Sequence, residues 1–234
     1  MDLKRIVELL RPFLTGTVPR DLSFRGGFSP EQSAALTETQ LQQIAIYLDL
    51  LLRWNSRVSL TAVREPEQII TRHFGESLFA ARQLFPSAKL TSADSPLFDF
   101  GSGAGFPGFP IKIWAPHVEL TLIESNQKKA TFLREVIRTL NLGCAEVFSG
   151  RAEDFQRQAD VVTLRAVEKF ERSLPIASDL VAPGGRLALL IGESQVSFAR
   201  TISFRWQVPV PIPLSSNRVL LIGIKAPPIR NQGD

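Results

Sequence analysis

Residues 97–110, LFDFGSGAGFPGFP, decide how the rest of the chain is read. A short apolar run carries an acid, Asp99, and glycine then stands at 101, 103 and 105. Each glycine costs backbone entropy on folding, so the spacing implies a main chain that something approaches closely. Apolar run, glycine-rich turn and following helix together read as the first βα turn of a doubly wound nucleotide-binding sheet. At the strand end, Asp99 can accept hydrogen bonds from loop amides or from a cationic ligand.

Downstream of this turn, short apolar runs alternate with amphipathic stretches. Strands are expected at 97–100, 118–123, 144–148, 160–164 and 186–191, with a helix over 126–140. Such alternation implies right-handed βαβ crossovers and a parallel sheet covered on both faces. Two strand-like runs within 202–214 and 217–225 have no helix between them, which predicts a terminal hairpin with an antiparallel strand. Before residue 95 the period is helical. Leu41, Ile44, Leu48, Leu51 and Leu52 recur at helical spacing behind a Thr37–Gln40 capping box. A second helix is expected from Glu67 to Leu84, opened by Pro66, and a loop over 15–30. The chain thus divides into an N-terminal helical cap, residues 1–92, and an α/β domain, residues 93–234.

Hydrophobic residues at 44% and charged residues at 21% make a globular rather than a disordered composition. The single cysteine, Cys144, excludes an internal disulfide framework and reads as a core residue of the third strand. No apolar run reaches the ~18–20 residues of a membrane span. The charged start, MDLKRIVELLRPFL, is unlike the apolar stretch of a signal peptide. A cytoplasmic protein with no membrane partner is expected. The net charge of +4 points only faintly to a polyanionic partner.

Which ligand does the loop serve? Residues 103–108, GAGFPG, satisfy G-x-G-x-x-G, so a nicotinamide cofactor and an oxidoreductase remain open. Pro107 takes one amide from the helix start, which makes a poorer pyrophosphate cradle. An acid ahead of the first glycine better suits a ligand with an amino or sulfonium group, such as S-adenosylmethionine. Glu124 ends the second strand about 20 residues past the loop, where a carboxylate takes ribose hydroxyls. Ala152 and Glu153, in SGRAEDF, would flank an adenine ring, although Glu153 also suits the first turn of a helix. Arg165 follows the fourth strand, where a guanidinium can meet a methionine carboxylate, a phosphate or guanine O6.

Methyl transfer from a sulfonium is an in-line displacement that chiefly needs donor and acceptor held in contact. Carbon acceptors on pyrimidines need a cysteine, and Cys144 lies away from the carboxyl ends of the expected strands. Exocyclic amines are commonly served by an Asn-Pro-Pro-aromatic turn, where this chain has TLRAV. His73 and His117 are not paired, and no metal site is expected. Guanine N7 already exposes a lone pair and needs no base, so the missing machinery fits N7 methylation. His73 either lines the substrate side of the cleft or is a satisfied helix histidine. Trp54 and Asn55 are expected to pin the cap on the α/β domain. Arg53, Arg57, Arg64, Arg72, Lys128 and Lys129 are candidates for phosphate contact.

Taken together, RWNSRVSLTAVRE, RHFGESL, LFDFGSGAGFPGFPI, LIESNQKKATFLREV, SGRAEDF and TLRAV resemble the bacterial 16S ribosomal RNA guanine-N7 methyltransferase family, also called glucose-inhibited division protein B. The resemblance implies a class I S-adenosylmethionine-dependent methyltransferase, a Rossmann-like, mostly parallel seven-stranded sheet with a C-terminal antiparallel strand under an N-terminal helical cap. It implies S-adenosyl-L-methionine as donor and a guanine of the 530 loop as acceptor, in 16S rRNA or the small ribosomal subunit. A monomer is expected. Carried over by motif, cofactor contacts would fall on Gly101, Phe106, Ala152, Glu153 and Arg165. Asp99, Gly103, Gly105 and Glu124 follow from the general pattern of the fold. Arg165 and His73 are the substrate-side candidates. Three positions depart from the family pattern. Glu124 and Glu76 stand where aspartate is usual, and Ile191 stands in place of a lysine. A cofactor-binding protein of this fold with a different or lost acceptor is the alternative that Ile191 raises.

Overall fold

The computed structural model describes residues 1–15, 35–86, 95–166 and 169–227. The loop expected over 15–30, apart from Thr15, and the boundary at residues 92 and 93 lie outside them.

Three N-terminal segments are helical. Helix α1 (Leu3–Leu14) buries Ile6, Leu10 and Phe13, one turn apart on one face. Helix α2 (Glu38–Asn55) opens on the expected capping box: Gln40 N donates to Thr37 Oγ1 at 3.2 Å and Thr37 N to Gln40 Oε1 at 2.8 Å. The third segment runs from Pro66 to Leu84 but is not uniform. Helix α3 (Pro66–Ile69) widens into a π-helical stretch, Ile70–Gly75, before α4 (Glu76–Leu84). Within that stretch, a Cβ on Gly75 would lie 2.5 Å from the Phe13 ring, so only glycine lets α1 seat there.

The sheet begins at β1 (Pro96–Phe100), followed by α5 (Gly108–Trp114), β2 (Glu119–Glu124), α6 (Gln127–Thr139) and β3 (Ala145–Ser149). Asn126 caps α6 by accepting from the amides of Lys128 and Lys129. The chain continues through β4 (Ala159–Arg165), α7 (Phe170–Asp179), β5 (Val181–Gly192), the single turn α8 (Val196–Ala199), β6 (Arg205–Trp206), β7 (Val210–Pro211) and β8 (Arg218–Ile224). Strand order is β3-β2-β1-β4-β5-β8-β6. The first five strands are parallel, and β8 runs antiparallel to β5. This path holds the seven expected strands. An eighth, β7, adds two residues to β8. The order reverses between β1 and β4, and a ligand crevice opens beyond the carboxyl ends of the strands at such a point.

Alternate side chains of each strand feed two cores. Leu97, Leu120, Leu122, Val161, Leu190 and Leu220 share one with α1, α2, α4, α5 and α6. Phe98, Ile123, Val162, Leu189, Ile191 and Leu221 form the other with α7. This two-sided burial explains why the strands read as apolar runs.

Two local expectations need correction. Cys144 is exposed and precedes β3 with φ +52°, so it is a turn residue rather than core. Asn55 does not reach the sheet. Its side chain accepts from Leu60 N and Thr61 N and donates to Thr61 O, closing the turn after α2. Trp54 does bridge to the sheet side, its ring 5.6 Å from that of Phe132 on α6. No helix among the described residues is long and apolar enough to cross a membrane.

Candidate active site

The loop between β1 and α5 explains its glycines one at a time. Gly101, Gly103 and Gly105 have φ of +64°, +58° and +89°, a region that costs other residues about 1–2 kcal/mol. Gly101 borders a cavity. A Cβ on Gly103 would meet nothing nearer than a backbone oxygen at 3.8 Å. On Gly105 it would fall 2.3 Å from the Phe109 ring and 2.8 Å from the Tyr47 hydroxyl. What crowds Gly105 is therefore the protein's own interior.

Buried carboxylates brace this loop. Asp99, 1% exposed, accepts from Thr163 Oγ1 at 2.9 Å and from Gly108 N at 3.2 Å. Burial pushes its pKa up to about 7, against the hydrogen bonds that favour the ionised form. Asp99 is thus tied to a loop amide and to a β4 hydroxyl. Glu124 ties the loop to β2: Oε2 accepts from Gly103 N at 2.8 Å and Oε1 from Asn126 N at 2.7 Å. A carboxylate offers about four lone-pair sites, so two remain for other donors.

On one flank of the loop lies a cavity of about 340 Å³, at the ends of β1, β2 and β3 and the start of α7. Three of the expected residues line it, Gly101, Ala152 and Glu153. Phe100, Ile123 and Ile176 add apolar wall, while Arg151, Lys169 and Arg172 supply positive charge. The walls suit a flat heterocycle and the rim suits anionic groups. Sequence reading missed Lys169 and Arg172, since nothing local marks a side chain at the start of α7 as facing the cavity.

On the other flank the chain gathers a polar cluster. Arg165, the last residue of β4, donates from Nη2 to Arg72 O at 2.7 Å, to His73 Nδ1 at 3.1 Å and to Glu76 Oε2 at 3.2 Å. The other Glu76 oxygen binds Arg218 Nη2 at 2.5 Å. Because a guanidinium only donates, His73 Nδ1 is the acceptor and Nε2 carries the proton, directed to Thr61 Oγ1 at 2.8 Å. Burial, with the charges of Arg165, Arg72 and Arg218, pushes the His73 pKa down to about 3. Both ring nitrogens are engaged, and burial favours the neutral ring. Burial raises the Glu76 pKa, and its two arginines act against that. The π-helical stretch presents Arg72 O and His73 to Arg165.

Phe106 lies between the flanks. Its bond to Pro107 is cis. Its ring stacks on Tyr47 at 5.3 Å and meets Phe74 edge-on at 5.1 Å and His73 at 5.0 Å. Tyr47 donates to Ala104 O, holding the loop against α2. With its ring so enclosed, Phe106 offers the ligand side its main chain only. Tyr47, Thr163 and Arg218 carried no sequence signal as site residues, because each acts through a partner far along the chain. Arg53, Arg57, Arg64, Arg72 and Lys128 are exposed.

A sequence model of the family described as GidB, rRNA small subunit methyltransferase G, matches residues 40–217. A Stenotrophomonas maltophilia protein named Ribosomal RNA small subunit methyltransferase G is 40% identical over 171 residues, covering 72% of this chain and 77% of its own. One of the same name from Xanthomonas euvesicatoria pv. vesicatoria is 36% identical over 211 residues, covering 83% and 95%. Among solved structures, a SAM-dependent methyltransferase from Aquifex aeolicus aligns with TM-score 0.52 at 14% identity, over 71% of this chain and 96% of that one. That last likeness concerns the fold.

Proposed function

The chain belongs to the GidB family of small-subunit ribosomal RNA methyltransferases, on a class I methyltransferase fold, and from that premise we propose that it methylates N7 of a guanine in the 530-loop region of 16S rRNA. The supporting observation is the pairing of the cavity with a cluster that leaves no base free. Its histidine is held neutral with both nitrogens occupied, and its carboxylate is spent on two arginines. Guanine N7 needs no proton removed, so an acceptor of this kind asks only to be positioned.

The residues present fit S-adenosylmethionine. Gly101 brings bare main chain to the cavity, Ile123 and Ala152 give apolar wall for the adenine, and Glu153 lines the same space. The unspent acceptor sites of Glu124, next to the cavity-lining Ile123 and Ser125, suit ribose hydroxyls, and the charge of Arg165 suits an anion. When bound, the donor supplies an electrophilic methyl on a sulfonium. The chain's own part is to hold the loop through Asp99 and Glu124, to keep the cluster dry and neutral at His73, and to fix Arg165.

Ile191, at the position where the family resemblance expects lysine, is 3% exposed and packs in the core shared with α7. It lines neither the cavity nor the Arg165 cluster, so its identity leaves both intact. The deciding experiment incubates small subunits or 16S rRNA with the protein and labelled S-adenosylmethionine. 7-Methylguanosine is expected, located by primer extension after aniline cleavage. Label found only in another base would overturn the assignment, and NADH is expected not to bind.

A further inference from the structure

Three cations line the cavity, and none has a partner of its own. Arg151 follows β3, while Lys169 and Arg172 stand at the start of α7, and all three are exposed. Among the described residues, no acceptor takes a side-chain hydrogen bond or ion pair from any of them. Glu153 is the one carboxylate on the same lining, and it leaves them unpaired. Asp99 and Glu124, behind the loop, are engaged by amides and a hydroxyl. The other flank differs, since Arg165 and Arg218 both reach Glu76. A single exposed cation is ordinary surface, but three gathered on one cavity sum to a field.

That field acts on whatever enters. A cavity of about 340 Å³ is only about 9 Å across if round, which is no more than one Debye length at physiological salt. S-adenosylmethionine carries an ammonium, a carboxylate and a sulfonium, so its net charge is positive and the three cations disfavour it. S-adenosylhomocysteine has the same ammonium and carboxylate without the sulfonium. Any pairing of the carboxylate with the rim is common to both, and the rim by itself favours the spent cofactor over the donor. A phosphodiester laid across the rim supplies the missing anion and removes that bias. We propose that Arg151, Lys169 and Arg172 seat the rRNA backbone at the mouth of the cavity, and that this seat couples the two substrates: the cationic donor binds more tightly once phosphate is in place. The coupling is reciprocal, so the donor tightens RNA more than S-adenosylhomocysteine does. A polynucleotide fits better than a lone anion, because exposed cations hold one phosphate weakly while successive phosphates of a strand add. This rests on the proposed function and adds what links its two substrates.

The test compares two ligands by calorimetry. Sinefungin has an amine-bearing carbon in place of the sulfonium, so it keeps the charge and transfers no methyl. S-adenosylhomocysteine is neutral at that position. The quantity read is the ratio of their dissociation constants, sinefungin over S-adenosylhomocysteine. Lys169→Met and Arg172→Gln together are expected to lower it by about threefold or more at low salt, and by less at high salt. Small ribosomal subunits are expected to lower it by about threefold in the wild-type protein and to change it little in the double variant. Arg134→Gln removes an exposed charge on α6, outside the cavity, and is expected to leave the ratio unchanged. The inference is overturned if the double variant keeps the wild-type ratio, or if small subunits leave the wild-type ratio unmoved or shift both proteins equally. An equal shift from Arg134→Gln overturns it too, since the effect would then belong to net charge alone. Should neither ligand bind, the cofactor reading fails and the inference with it. Should the ratios move as expected while no guanine is methylated, the proposed acceptor fails and the coupling stands.

Discussion

The two flanks of the glycine loop handle charge in opposite ways. On the cavity flank, Arg151, Lys169 and Arg172 remain exposed around an apolar pocket. On the cluster flank, Glu76, His73 and Arg165 are withdrawn from solvent and spent on one another. The first arrangement lets a ligand come and go, because its charges are solvated with or without a partner. In the second, each buried group is held by its neighbours. The loop between them is braced from below by Asp99 and from α2 by Tyr47.

The sharpest way to break this contrast is to place the same methyl on two glycines. Gly105→Ala combines left-handed strain with a Cβ driven into Phe109 and Tyr47, and is expected to cost about 3 kcal/mol or more. Gly103→Ala carries similar strain into open space and is expected to cost about 1–2 kcal/mol. Thermal melts of the two variants compare them directly. Equal losses would show that packing under the cap does not set the requirement at Gly105.

Tyr47→Phe comes next, removing the donor that Ala104 O accepts, with an expected loss of about 1–3 kcal/mol. Ligand affinity should fall along with melting temperature, because the loop is shared by both flanks.

The pH dependence divides the flanks by sign. Asp99 has a folded pKa near 7 against an ordinary 3.8, so between those values the folded state holds the extra proton. Its contribution to stability is therefore lost as pH rises from about 4 to about 7. His73 is pushed from 6.5 to about 3, so the unfolded state holds the extra proton and stability is lost as pH falls through that window. Denaturant titrations at pH 5 and pH 8 are expected to show Asp99→Asn and His73→Gln changing the slope in opposite directions. Matching slopes would refute the assignment of either group.

The smallest expected change in stability is at the rim. Lys169→Ala and Arg172→Ala should leave the melting temperature within about 1 °C, yet weaken rRNA binding with a shallower salt dependence. Unchanged KM values at low and high salt would remove the rim from the RNA surface.

Much of this architecture is legible residue by residue. Strands β1 to β4 fall within one or two residues of the apolar runs that announce them. Thr37 and Gln40 cap α2 as their spacing requires. The π-helical turn was not legible, because ITRHFG carries the same helical period as its neighbours. Only Phe13 pressing on Gly75 and Arg165 reaching for Arg72 O give the wider turn its partners. Cys144 was misread because an apolar residue beside a strand looks the same whether the chain has begun to pair or is still turning.

By itself the sequence determined the parallel sheet, the glycine turn at its switch point and the family, since period, capping and glycine spacing are local signals. Only the tertiary structure decided the work of each residue at that turn: Gly101 faces the cavity, Gly105 makes room for Phe109, Asp99 holds the loop, and Glu76 pairs with Arg165. The physical reason is that a side chain's role depends on what lies against it. Here those neighbours come from helices and strands tens of residues away.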